Sequence, residues 1–276
     1  MSRRWVNYHL RTADRAIPGA RSALPSGLPE AVASLRAADA GSQWFFQRWE
    51  DGGVPVADVW FHSYDSVLTD TVNGLGGKGA SGDSPPSQSF RTRPGASAGV
   101  FGGSPATEGL AVALASASSD LALAVLRDGA LPEDTQRSLA VLHLHTLAEL
   151  VPDAHRLAFL FLYWEARAAG LSPGERTRIA RLADRHATEP AALPSVDVWR
   201  TERAEASWRD YLRAAHTLVP GQTEAASPMN YLLFRHALQT HARLGVTAGT
   251  DAFAARTVRA ALRAAPALPV PELQSA

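Results

Sequence analysis

Residues Gln43–Phe61 read QWFFQRWEDGGVPVADVWF. Two runs rich in aromatic and β-branched residues flank the pair Asp51-Gly52, which admits the tight turn of a β-hairpin. The first run follows the two-residue period of a strand. Trp44, Phe46 and Arg48 therefore share one face, and Gln43, Phe45, Gln47 and Trp49 share the other. An arginine beside Trp and Phe has two readings, a strand end reaching water or a residue lining a pocket. Upstream, residues 4–10 alternate loosely and predict a strand. Glu30–Ala40 predicts a short helix, with Val32, Leu35 and Arg36 at helical spacing. Strand, helix and hairpin in that order indicate an α+β sheet unit.

Downstream the character changes. Residues 73–107 are rich in Gly, Ser and Pro. So long a connection is either functional, for instance a lid, or without structure of its own. It lacks the lysine-bearing glycine pattern of a phosphate loop and the strand-to-helix context such a loop needs. From Ala106 the chain reads as successive helices. Gly129 and Gly170 act as terminators, and Ser172-Pro173 with Glu175 forms a helix start. Ser227-Pro228 opens another helix, and a last one runs from about Thr250 to Ala264. The expected fold is α+β: a small antiparallel or mixed sheet with a hairpin in the N-terminal half, then a largely helical C-terminal half. One domain is expected over residues 1–265, with a flexible tail at 266–276.

Composition narrows the function classes. Acidic and basic residues balance at 27 each, which gives no global argument for nucleic acid or membrane. There is no cysteine, so disulfides, thiolate metal sites and a cysteine nucleophile are excluded. The N-terminus carries no signal-peptide core, and the longest apolar run, Leu157–Trp164, suits a buried helix. The reading is of a soluble protein. Nine histidines invite a metal hypothesis. However, His143 and His145 are two apart on a predicted helix, and His236 and His241 are five apart rather than the four of a helical zinc pair. No nucleophile elbow or dinucleotide fingerprint is present. Glu50 and Asp51 fall in the hairpin turn and read as solvated.

The order of segments resembles the C-terminal, stand-alone domain of lantibiotic dehydratases, also called thiopeptide-type bacteriocin biosynthesis proteins. The resemblance rests on Trp5–Tyr8 as the opening strand, Trp44–Trp49 as the aromatic strand, Asp51–Gly53 as the turn and Pro55–Phe61 as the following strand. Phe101-Gly102-Gly103 precedes the long helix, and Arg243–Val246 forms the turn before the last one. It covers roughly residues 3–265. The departures are informative. Family members that eliminate glutamate carry two arginines on the second hairpin strand, suited to a carboxylate leaving group. Asp58 and Trp60 stand there instead. The acidic positions before the Gly-Gly pair have no carboxylate here. The family's His-x-x-x-Asn-Arg-Leu-Gly pattern falls on Leu238–Gly245, with Leu238 for the His and Ala242 for the Asn.

This combination looks like the thiopeptide pyridine synthases, a branch that keeps the scaffold without the eliminase groups. The resemblance implies a formal (4+2) aza-cycloaddition between two dehydroalanines of a modified ribosomal precursor peptide. Loss of water and of the leader peptide then yields the pyridine core of a thiopeptide macrocycle. Such a reaction needs no metal and no redox cofactor. It needs hydrogen bonds that favour the iminol tautomer of an amide and a pocket that holds diene and dienophile together. The candidate catalytic residues are Tyr231, Ser227 and His236. Ser227 is also a good helix cap and Tyr231 an ordinary half-buried aromatic. The candidate substrate-binding residues are Arg48, Trp44, Trp60, Arg235 and Gln239. Arg176, Arg178, Arg181 and Arg185 are candidates to receive an acidic leader, or else form a solvated helix face. The expected partner is the modified precursor peptide, leader plus azole- and dehydroalanine-bearing core. Nucleic acid and membrane are not expected, the location is cytoplasmic, and a homodimer is compatible with the sequence. A glutamate eliminase and a non-catalytic leader-binding scaffold are the alternatives.

Overall fold

The register of the hairpin organises the sheet. In the computed structural model, residues 2–11, 24–25, 27–51, 54–76, 105–127, 129–188, 199, 201–219 and 229–264 are described. Strand β1 spans Arg4–Arg11, β2 Gln43–Asp51 and β3 Val54–Ser63. β2 pairs antiparallel with β3 from Asp51 opposite Val54 to Gln43 opposite His62. β1 pairs antiparallel with the other edge of β3, from Arg4 opposite Ser63 to Arg11 opposite Val56. The order is β1-β3-β2, so the sheet is antiparallel throughout. Residues 52 and 53, where the turn is expected, lie outside the described residues, as do 77–104 of the Gly/Ser/Pro-rich stretch and the tail at 266–276.

The chain divides into two compact units, residues 1–136 with 196–247, and residues 137–195 with 248–276. The first unit holds the sheet, α1 (Leu28–Ala38), α2 (Asp65–Gly76), α3 (Pro105–Leu126), α7 (Glu202–Leu218) and α8 (Met229–Arg243). The second holds most of α4 (Glu133–Glu149), with α5 (Asp153–Ala168), α6 (Pro173–His186) and α9 (Ala248–Ala264).

α1 begins before Pro29, because proline is tolerated in a first turn where its missing N–H is not needed. Its apolar stripe buries Leu28, Ala31, Val32 and Leu35. At its end, Asp39 accepts hydrogen bonds from Arg3, the Ser63 hydroxyl and the Gly41 amide. That ties the start of β1 to the end of β3. α2 has no counterpart in the sequence reading. Its Ser, Thr, Asp and Val content is poor for helix, and packing against α1 and β3 supplies what propensity does not.

α3 is the central helix of the first unit, packed on β2, α7 and α8. Glu108–Leu126 is long and apolar enough to cross a membrane by length and composition, contrary to the sequence reading. Half of it is buried inside the protein, as a core helix requires. One face of the sheet buries Val6, Trp44, Phe46, Ala57, Val59 and Phe61. On the other face, Val112 and Ala115 of α3 cover Phe45 and Trp60.

The outer edge of β2 is closed by side chains. The Phe46 N–H donates to Ser119 Oγ at 3.1 Å, and Arg243 Nε donates to the Phe46 carbonyl at 2.5 Å. Arg243 Nη1 also reaches Ser118 Oγ at 2.9 Å. Arg243 is fully buried, and that desolvation pulls its pKa down to about 9. Gly245, with φ 75°, lets the chain leave α8. The Val246 N–H returns to the His241 carbonyl and the Gly245 N–H to the Ala242 carbonyl, a Schellman ending.

In the second unit α9 packs on both α5 and α6. The Tyr163 hydroxyl donates to buried Asp251 at 3.3 Å, and Arg167 pairs with the same carboxylate at 2.8 Å. α6 opens with the expected capping box, Ser172 and Glu175 satisfying each other's backbone N–H groups.

Candidate functional site

The sheet face beneath α3 carries most of the chemistry. Cross-strand pairing places Gln47, Asp58 and His9 in one row across all three strands, and Phe45, Trp60 and Asn7 in the next. Residues directly opposite one another project from the same face. His9 Nδ1 and Asp58 Oδ1 are 2.9 Å apart, and the other Asp58 oxygen accepts the Trp49 indole N–H at 2.9 Å. Asp58 is thus held by both its neighbours. With Nδ1 engaged by the carboxylate, the imidazole is oriented. The His9 ring also lies 5.4 Å from that of Trp49, which is 44% exposed.

Around this dyad the face is aromatic. Trp60 stacks on Phe45 at 4.9 Å, Trp5 lies 5.4 Å from Phe45, and His62 stacks on Trp5 at 4.9 Å. Burial, with the nearby Arg3 charge, holds His62 below the ordinary histidine range. Of twelve buried side-chain polar atoms without a hydrogen-bond partner among the described residues, four lie here: Asn7 Nδ2, Gln47 Nε2, His62 Nδ1 and Glu108 Oε1. The first three belong to this sheet face. Glu108 lies one turn before Ala111 and Val112, the α3 residues packed against it. Buried polar groups are ordinarily paired, so unsatisfied amide donors at one surface mark a place where a ligand can complete them.

α8 borders the N-terminal half of α3 from another side. Leu232, Arg235, His236 and Gln239 line a narrow crevice with Leu110, Ala111 and Leu114. The Arg235 guanidinium sits over the ring of Tyr231, 5.9 Å from its centroid, and Tyr231 is 51% exposed. Ser227 lies outside the described residues. Arg235, Gln239 and Tyr231 are therefore brought to one helix near α3.

Other candidates fall elsewhere. Trp60 lies opposite Phe45, whereas Arg48 lies over the ring of Phe46, so the sheet separates Trp60 from Trp44 and Arg48. These three cannot line one pocket. Trp44 is sealed in the core with its indole N–H on Asp120, and it supports the sheet from behind. Arg48 is not a solvated strand end, since burial lowers its pKa to about 10. His236 is buried and hydrogen-bonded to the Tyr211 hydroxyl at 2.9 Å. Burial first, then the charges of Arg243 and His241, push its pKa down to about 3. It stays neutral at physiological pH, which suits a packing role better than acid–base work. Among the leader candidates, Arg176 and Arg181 line a groove of the second unit, while Arg178 and Arg185 are exposed and do not line it. No group of three or more His, Cys, Asp or Glu side chains among the described residues can hold a metal ion.

Sequence reasoning missed His9, Asn7 and Gln47, and took Asp58 only as a lost arginine. His9 and Asp58 are 49 residues apart, and no local motif joins them. The register was the available signal. A two-residue hairpin loop after Asp51 sets Trp60 opposite Phe45 and Asp58 opposite Gln47.

No family model and no curated protein matches the chain by sequence. Solved structures do match by fold. The tRNA-dependent lantibiotic dehydratase MibB from Microbispora sp. 107891 aligns with a TM-score of 0.61 and 16% identity over 92% of this chain. The chain spans 28% of the length of MibB. Pyridine synthase TbtD, from thiomuracin biosynthesis, aligns with a TM-score of 0.58 and 15% identity, covering 95% of this chain and 98% of TbtD. TsrL gives 0.56 and 16%, with 95% of each chain covered. The α+β architecture expected from the sequence is thus the architecture observed, and it is the one these proteins share.

Proposed function

We propose that this chain is a thiopeptide pyridine synthase. Its reaction is the formal (4+2) aza-cycloaddition between two dehydroalanines of a modified precursor peptide, followed by loss of water and of the leader. The observation that carries this reading is the sheet face itself. At the two β3 positions where the resembling eliminases carry arginines, an Asp held by His9 and Trp49 and a Trp stacked on Phe45 are found. Without an arginine at either of these two positions the face is poorly suited to a carboxylate leaving group. It is well suited to flat, neutral azoles and dehydroamino acids, which stack on indole and phenyl rings. The alignment with TbtD, over 95% of this chain and 98% of TbtD, supports this reading.

The chemistry follows from the groups present. The Asn7 and Gln47 amide nitrogens donate to the substrate amide oxygen and stabilise the negative charge that develops there as the N–H proton leaves. His9, oriented by Asp58, relays the proton from amide nitrogen to amide oxygen. The diene and dienophile then close within a shaped, water-poor surface. Loss of water next requires a proton on the departing hydroxyl. Tyr231, with Ser227 near it in sequence, is the proposed donor, and Arg235 and Gln239 hold the peptide beside it. No metal or redox cofactor is required by this sequence of steps.

The test is mass spectrometry of a leader-bearing peptide containing azoles and dehydroalanines, incubated with the protein. The expected result is a released leader fragment and a macrocycle absorbing as a substituted pyridine. A peptide that is bound but unchanged in mass would favour the leader-binding scaffold. Glutamate loss from a glutamylated precursor would favour the eliminase.

A further inference from the structure

The aromatic rings of the reactive sheet face differ in how much surface they leave open. Phe45 and Trp60 stack on each other and are covered by Val112 and Ala115 of α3, so their surfaces are used up within the protein. Trp5 is engaged by both Phe45 and His62. Trp49 is the exception. Of the seven tryptophans it alone is exposed, at 44%. It lies near the end of β2 opposite Val56, one row beyond Gln47, Asp58 and His9.

An exposed tryptophan is ordinarily free to turn, with its N–H on water. This one is held. Its indole N–H donates to Asp58 at 2.9 Å, and its ring lies 5.4 Å from that of His9, tilted by 55°. A fixed indole with much of its surface open is a preorganised platform for a flat ring, because little freedom is lost on stacking. A cation is the weaker match. Each Asp58 oxygen already has a partner, one on His9 and one on Trp49, so the carboxylate beside the indole is committed. An electron-poor five-membered heteroaromatic ring suits the negative face of the indole. Gln47, the proposed donor to the substrate amide oxygen, is two positions away on the same face of β2, about 7 Å along the strand. Two residues of extended peptide span that distance.

We infer that Trp49 is a specificity-determining residue, the stacking platform for an azole ring of the substrate within two residues of the reacting amide. Asp58 then positions two groups at once, His9 for proton transfer and Trp49 for ring placement. This rests on the cyclisation reading and deepens it, giving the azole a place on the protein.

The test is fluorine NMR of the protein labelled with 5-fluorotryptophan, in which the Trp49 signal is the one lost in W49F. The probes are 2-methylthiazole-4-carboxamide, its non-planar counterpart cyclopentanecarboxamide, and N-acetylargininamide as a cation. The thiazole is expected to move the Trp49 signal saturably and to bind about two- to tenfold tighter than either competitor. By saturation-transfer NMR on the probes, W49F should keep the thiazole preference and W49L should lose it. An unmoved Trp49 signal, equal affinity for cyclopentanecarboxamide, tighter binding of the argininamide, or a preference that survives in W49L would overturn the inference. The assay needs no turnover. A protein that shows the preference without cyclising its peptide leaves the platform standing and removes the reaction, whereas one that cyclises without the preference removes the platform alone.

Discussion

Arg243 makes a quantitative test of how the sheet is held. Replacing it with Ala removes two hydrogen bonds from a charged donor, each worth about 1.5–3 kcal/mol. It also leaves the Phe46 carbonyl and the Ser118 hydroxyl buried without that donor, and it opens a cavity in a site that is fully buried. Together these predict a loss of about 4 kcal/mol, near the upper end for a single substitution. Arg243→Met fills most of the volume and no longer buries a charge, so its expected cost is smaller, about 1–2 kcal/mol. The assay is urea unfolding followed by tryptophan fluorescence. Of the seven tryptophans, only Trp164 belongs to the second unit, so the signal reports chiefly on the unit that contains Arg243. With a urea m-value of about 2–3 kcal/mol/M, the Ala variant should shift the midpoint by about 1.5 M. An Ala variant within about 1 kcal/mol of the parent would refute the idea that this side chain secures the strand edge. Equal losses for Ala and Met would show that the lost donors matter and the volume does not.

Other outcomes follow from the same geometry. His9→Ala and Asp58→Asn should each slow cyclisation by about 10²–10⁴-fold while precursor affinity stays unchanged, as separated by single-turnover and binding measurements. The Asp39 carboxylate is held below its usual range, first by the Arg3 hydrogen bond and then by Ser63. Its folded pKa lies below the unfolded one, so its stabilisation is present above about pH 4 and is lost as pH falls through the folded value. Asp39→Asn should therefore flatten the acid limb of a stability-versus-pH curve and leave the slope near neutrality unchanged. Gly245→Ala forces a side chain into the left-handed region at φ 75° and should cost about 1–2 kcal/mol in thermal unfolding. Ser172→Ala removes the α6 capping box and should cost about 1 kcal/mol.

What could be read in advance depended on how local its cause was. The hairpin, the α6 start and the Gly245 turn each arise from a few adjacent residues whose chemistry admits one backbone path, and all three were legible. α2 was not, because its sequence has weak helix propensity and the helix exists through contact with α1 and β3. The candidate site was half legible. Asp58 and Trp60 drew attention to β3, and the pairing sets them opposite Gln47 and Phe45 on one face. Yet Arg48 and Trp44 were grouped with Trp60, although alternation and register set them on opposite faces. His9 joins Asp58 only through the pairing of β1 with β3, a long-range event that no local pattern encodes.

The closed edge of β2 has an evolutionary consequence. Phe46 is fixed by its main-chain atoms, through Ser119 and Arg243, and its ring is packed into the core. Gln47, Trp49 and the β3 residues Asp58 and Trp60 take no part in that anchoring. A lineage can therefore exchange the residues of the reactive face, cation for ring or acid for amide, without moving the strand that displays them. Two proteins of this fold can then differ in chemistry at positions 58 and 60 and still hold the sheet in the same place.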